Sequence, residues 1–185
     1  MSEKKILINM FHPNLEYSRG NKAMLEAAGK LPNLTIRNLY AEYPDFKIDA
    51  AVEQELLLAH DVIVFQHPMY WLSSPSLMKE WQDTVLQKGF AFPPGEGDKL
   101  AGKIWQSVVT AGGPEEGYTK GGPFQADFND ILLPFKLTAV YCSMKWQNPF
   151  TVTSVMPEDA PGMRAISKEE LQEKISEYVS LLESF

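Results

Sequence analysis

The chain has 185 residues, 44% hydrophobic and 22% charged, which suits one domain with a sizeable core and leaves little for a second. Its net charge of −7, from 17 basic and 24 acidic residues, argues against nonspecific nucleic-acid binding, yet still allows an anionic ligand held by local backbone dipoles. The single cysteine, Cys142, excludes an internal disulfide, and no apolar run approaches the roughly 20 residues of a spanning helix.

The opening stretch MSEKKILINMFHP lacks a long apolar core, so no signal peptide is expected there. Ile6–Met10 is a short apolar run suited to a first strand, and Asn21–Lys30 reads as a helix with Met24, Ala27 and Ala28 at helical spacing. Leu34–Leu39 alternates as a second strand. Asp49 caps a helix through about Ala59, and Val62–Phe65 forms the third strand. After Pro75, the residues Leu77, Met78, Trp81 and Val85 mark an amphipathic helix. Ile104–Thr110 is a fourth strand and Leu137–Cys142 a fifth. A last helix opens at the capping box Ser167-Lys168-Glu169-Glu170 and continues through Leu171, Ile175, Tyr178 and Leu182.

Strands alternating with helices imply a parallel sheet with right-handed crossovers, and continuous apolar strands imply that both sheet faces are covered. The expected class is a three-layer α/β domain spanning residues 1–185, with five parallel strands in the order 2-1-3-4-5 and helices on both faces. In such a sheet ligands bind beyond the carboxyl ends of the strands where the order reverses, so the loops after strands one, three and four share a crevice.

The first of those loops, Phe11 to Asn21, carries Ser18, Arg19, Gly20 and Asn21 at a helix start. Free N–H groups there suit a phosphate, with His12 and Arg19 placed to add hydrogen bonds. It is neither a Walker loop nor a GxGxxG turn, and Ser18 as a mere cap explains it about as well. The second, Pro68-Met69-Tyr70-Trp71-Leu72, offers backbone amides between proline and aromatic walls for a planar ring; packing of Tyr70 and Trp71 against a helix is the simpler alternative. The third, Thr110-Ala111-Gly112-Gly113, allows close approach to the backbone. Taken together, a phosphate cradle, an aromatic slot and a glycine-rich wall point to FMN.

The segments His12-Pro13, Ser18-x-x-Asn21-Lys22, Tyr43-Pro44-Asp45-Phe46, Gln66-His67-Pro68-Met69-Tyr70-Trp71, Leu77 to Trp81, Gly89-Phe90-Ala91 and Thr110 to Gly113 carry a wider resemblance. The chain resembles flavodoxin-like, FMN-dependent NAD(P)H:quinone oxidoreductases. Within them it is most similar to the bacterial ancillary flavoproteins of glutathione-regulated potassium efflux systems. That resemblance implies a cytoplasmic FMN-binding homodimer, which moves a hydride from NADH or NADPH through the flavin to a quinone. The alternative role is a regulatory subunit of a membrane potassium antiporter, held at the inner membrane by that partner. It further implies that His12 and Ser18 through Asn21 hold the phosphate, while Met69 through Leu72 and Thr110 through Gly113 hold the ring.

Relatives place a histidine late in the chain near the acceptor, but the histidines here are His12, His60 and His67. Tyr118, in an exposed-looking loop, is therefore the candidate proton donor, with solvent as the alternative. His67 has no neighbour at ligand spacing, so no metal site is expected. Trp81 and Trp105 read as core or dimer-interface residues, and Trp146 and Phe150 as candidate walls of the pocket.

Overall fold

The structure, a computed structural model, describes residues 3–93, 95–157, 162 and 164–185. The elements run β1 (Ile6–Met10), α1 (Arg19–Ala28), β2 (Leu34–Asn38), α2 (Leu39–Glu42), α3 (Ala50–Ala59), β3 (Val62–Pro68) and α4 (Ser76–Val85). They continue with β4 (Ile104–Thr110), α5 (Phe128–Ile131), α6 (Leu133–Tyr141), β5 (Lys145–Trp146), β6 (Phe150–Val152) and α7 (Lys168–Glu183). Every pairing between named strands is parallel, as the alternation of elements predicts, and the order β2-β1-β3-β4-β5 is the expected one.

The fifth strand is not where the sequence pattern puts it. Leu137–Cys142 lies in and just beyond α6, a helix with Pro134 in its first turn. Phe135, Ala139 and Cys142 are buried while Leu133, Leu137, Val140 and Tyr141 are exposed, a helical spacing hidden inside a run of apolar and β-branched types. The edge of the sheet is instead built from two fragments, and both pair with β4. Lys145 and Trp146 lie beside Ile104 and Trp105, and Phe150 to Val152 beside Val108 to Thr110. Pro149 has no N–H to give a ladder, and Gln106 bridges the gap by donating Nε2 to the Asn148 carbonyl at 3.0 Å.

The sheet separates two cores. On one face Leu7, Phe11, Ile63, Phe65 and Trp105 pack with Leu57 of α3, Trp81 of α4 and Phe135 of α6. On the other, Ile6, Ile8, Val64 and Val108 pack with Met24 of α1 and with Ile175 and Tyr178 of α7. Trp81 and Trp105 are fully buried in the first core. Trp146 packs near Trp105 and Phe150 near Tyr178, so both belong to packing around the sheet within this chain.

Candidate functional site

The loop after β1 turns into α1 through Ser18, whose extended backbone and accepting side chain make it the N-cap. Its Oγ accepts from the Asn21 amide N at 3.1 Å and from Asn21 Nδ2 at 3.3 Å. Helix α1 starts at Arg19, two residues before the sequence spacing suggests, because the cap is Ser18 itself. Gly20 is required by a neighbour: a Cβ there would sit 2.9 Å from Cγ1 of Val155.

The tip of β3 holds the second loop. Met69 N donates to the Thr110 carbonyl at 2.7 Å, so the ladder between β3 and β4 extends into the turn. Tyr70 and Ser73 then exchange both main-chain hydrogen bonds at 3.0 Å, closing a two-residue turn over Trp71 and Leu72. Those two residues have φ of +51° and +57°, the left-handed region that such a turn demands and that Asn-Gly normally fills. Holding bulky side chains there costs on the order of 1–3 kcal/mol each, and such strain clusters at ligand clamps. Trp71 is fully exposed, and Tyr70 and Leu72 are both above 40% exposed, so packing on α4 does not explain this turn.

Beyond β4, Ala111 N donates to Val152 O at 2.8 Å, Val155 N to Ala111 O at 2.9 Å and Ser154 N to Gly113 O at 2.9 Å. These bonds bring the segment after β6 to the site, a contribution with no signal in the sequence pattern. Gly112 meets nothing within 4 Å of a Cβ position, whereas Gly113 is overlaid by the Tyr118 hydroxyl, 2.9 Å from where its Cβ would be.

The three loops enclose a cleft of about 430 Å³ lined by His12, Ser18, Arg19, Pro68, Met69, Tyr70, Thr110 and Gly112, together with Tyr17 and Val155 to Pro157. Of the other sequence candidates, Gly20, Asn21 and Ala111 are buried behind the wall, Trp71 and Leu72 stand at the rim in their turn, and Gly113 lies under Tyr118. Tyr118 is not an exposed loop residue: it is 7% exposed and stacks on Phe128 at 4.6 Å. Burial raises its hydroxyl above the ordinary tyrosine value, keeping it a neutral donor.

The polar groups of the cleft have defined roles. His12 Nδ1 accepts from the Asn14 amide at 3.1 Å, and burial lowers the imidazole below its ordinary value. A neutral ring with Nδ1 used as acceptor carries its proton on Nε2. Arg19 donates Nη1 to the Met156 carbonyl at 2.9 Å and Nη2 to the Ile166 carbonyl at 3.2 Å, so it tethers the far segment to α1. His67 is buried beneath the site, donating Nδ1 to Pro68 O at 2.9 Å, and desolvation lowers it to about 4. Its Nε2 meets no partner among the described residues.

A family described by a flavodoxin-like fold matches residues 4–176 of the chain. The chain is 50% identical over 148 residues to the glutathione-regulated potassium-efflux system ancillary protein KefG of Enterobacter sp. (strain 638), covering 80% of each. The crystal structure of general stress protein 14 from Treponema denticola, in complex with FMN, superposes with a TM-score of 0.87. It is 34% identical and covers 97% of this chain and 98% of its own. An NADPH-quinone reductase from P. pentosaceus superposes with a TM-score of 0.84 at 25% identity, covering 96% and 97%. The chain therefore belongs to the flavodoxin-like family, among the relatives of the potassium-efflux ancillary proteins.

Proposed function

We propose that the protein is an FMN-dependent NAD(P)H oxidoreductase acting on quinones or related organic acceptors. The observation that carries this reading is the cleft at the carboxyl ends of β1, β3 and β4, where a capped helix start faces a strained, solvent-exposed aromatic turn. The donor set fits FMN: the start of α1 offers the positive end of a helix and the Ser18 hydroxyl on one side, and Gly112 leaves its backbone open on the other. The FMN complex of a 34% identical structure and the printed name of the NADPH-quinone reductase support the same assignment.

When bound, FMN would supply the two-electron hydride chemistry between the nicotinamide and the acceptor. The chain's part is binding and orientation. His12, Ser18 and the first turn of α1 at Gly20 would hold the phosphate, with Asn21 behind them orienting Ser18 and Arg19 fixing the segment that closes the cleft. Pro68 to Leu72 and Thr110 to Gly113 would flank the ring. Tyr118, a buried neutral phenol against Gly113, is the proposed proton donor to the acceptor. A purified chain that is colourless and shows no change in flavin absorption or fluorescence on addition of FMN would sink this reading. Given binding, turnover of NADH or NADPH with a simple quinone tests the reaction, and loss of that turnover in Tyr118→Phe tests the donor.

A second copy of the chain is the partner we propose for the outward stripe of α6, where Leu133, Leu137, Val140 and Tyr141 are 45–59% exposed. Leu137→Glu should then yield monomers in sedimentation. The 50% identical potassium-efflux ancillary protein favours a second reading, a cytoplasmic regulatory subunit docked on an inner-membrane antiporter with reductase activity incidental. Retained antiporter binding without quinone turnover would select that reading.

A further inference from the structure

A line of buried polar side chains runs from α7 to the cleft. The Tyr178 hydroxyl donates to Gln66 Oε1 at 2.8 Å. Gln66 Nε2 donates to Asn21 Oδ1 at 3.2 Å and to the Asn21 main-chain carbonyl at 3.4 Å. Asn21 Nδ2 then donates to Thr110 Oγ1 at 2.8 Å and to Ser18 Oγ at 3.3 Å. Tyr178, Gln66 and Asn21 are each 0% exposed, and Thr110 is 4% exposed. Tyr178 is packed by Phe150 at 5.7 Å, so the far end of the line is held by the core.

The direction of this line is set by the Asn21 carbonyl and held by the Tyr178 hydroxyl. A main-chain carbonyl can only accept, so the Asn21 carbonyl holds the amine end of the Gln66 amide toward α1. Gln66 Oε1 must then face Tyr178, which burial keeps protonated and donating. The same orientation forces Asn21 Oδ1 toward Gln66 and its amine toward the two hydroxyls. Ser18 Oγ accepts from both the main chain and the side chain of Asn21, so both its lone pairs are used. Its single proton is left for an acceptor outside the line. Thr110 also accepts from Asn21 and keeps its proton. Both residues line the cleft.

We propose that Tyr178, Gln66 and Asn21 form a positioning relay that presents the Ser18 and Thr110 hydroxyls to the cleft as donors. Resting on the flavin reading above, the relay makes the site prefer a ligand with anionic oxygens at Ser18, FMN over riboflavin. Reversing the relay would turn the Ser18 proton inward and present lone pairs to the phosphate, which repels it. Asn21 thus acts behind the ligand, through Ser18 and Thr110, and Tyr178 acts on a site it never touches.

The test titrates the purified full chain with FMN and, separately, with riboflavin, following flavin fluorescence. Tyr178→Phe keeps the ring and removes the donor that anchors Gln66. Its FMN-over-riboflavin preference should fall about three- to tenfold, the scale of one misdirected hydrogen bond to a charged group. Gln66→Met, which keeps the length and removes the amide, should lower the same ratio at least as far, and covers the case in which the first variant does not fold. A ratio unchanged in the folded variant, including equal loss of affinity for both flavins, overturns the relay and leaves FMN binding standing. A wild-type chain that binds neither flavin overturns the flavin reading itself.

Discussion

Two buried polar networks lie on opposite sides of the sheet, and they differ in how they end. Around Glu53, on α3, every bond closes inside the protein. Its Oε1 accepts from Arg37 Nη2 at 3.0 Å and from the Tyr43 hydroxyl at 2.9 Å, and its Oε2 from Trp81 Nε1 at 2.9 Å. Arg37 also pairs with Glu42 at 3.1 Å. The carboxylate ties together β2, α3, α4 and the turn after α2, and both of its oxygens are occupied by donors from this chain. The line through Gln66 instead ends on hydroxyls whose protons face the cleft. A network that terminates on itself serves stability, and one left open at a cavity serves a ligand.

The largest effect should come from breaking the closed network. Glu53→Ala would leave the Arg37 guanidinium, largely shielded from solvent, without its deepest partner and two ring donors without acceptors. We expect a loss of about 3–5 kcal/mol in chemical denaturation, with FMN affinity of the folded protein unchanged. A loss below about 1 kcal/mol would contradict the closed-network reading. The same cluster, chiefly through desolvation and the bond to Glu53, pushes the Tyr43 hydroxyl up to about 12, so its donation survives across the neutral range.

The next effect sharpens the contrast at two adjacent residues. Gln66 faces the open network and His67 the opposite core, where it is buried with its pKa lowered to about 4. The unfolded chain binds its proton near 6.5, so between those values the unfolded state holds more protons than the folded one. Stability contributed by the neutral ring is therefore full above about pH 6.5 and is lost as pH falls toward 4. The loss amounts to about 3 kcal/mol by linkage. Urea melts at pH 7 and pH 4 should show that drop in the wild type, with this component missing from His67→Gln.

Smallest in stability is Ser18→Ala, which removes a cap worth about 1 kcal/mol. It should nonetheless weaken FMN binding about tenfold or more, as a donor to an anion is lost. Denaturation and flavin titration of one preparation separate the two effects. A variant that loses stability but keeps FMN affinity would reduce Ser18 to a structural cap.

Much of this frame is legible in the sequence. β1 and β3 open on unbroken apolar runs, Ile6 to Ile8 and Val62 to Phe65, because both sheet faces are covered, and the loops after β1, β3 and β4 are the ones that meet. The edge strand is not legible, since two short fragments around Pro149 have no periodicity to detect. Leu137–Cys142 misleads because a half-exposed helix and a strand share the same residue types. The candidate site divides in the same way. Ser18, Met69 and Thr110 follow from loop position, but Asn21 reads as a ligand contact when its amide in fact faces Gln66, Ser18 and Thr110. Tyr178 is separated from its partner by 112 residues, and no local pattern encodes such a contact.

The left-handed turn over Trp71 has an optical consequence. Of the chain's four tryptophans, Trp81 and Trp105 are sealed in the core and Trp146 is partly covered, while Trp71 stands wholly in water at the cleft's rim. Its emission should form the red shoulder of the protein's spectrum and be the part most open to quenching by a flat chromophore seated beside it. The molecule thus carries its own fluorescent indicator of occupancy, placed there by two residues whose backbone would be at ease only as Asn-Gly.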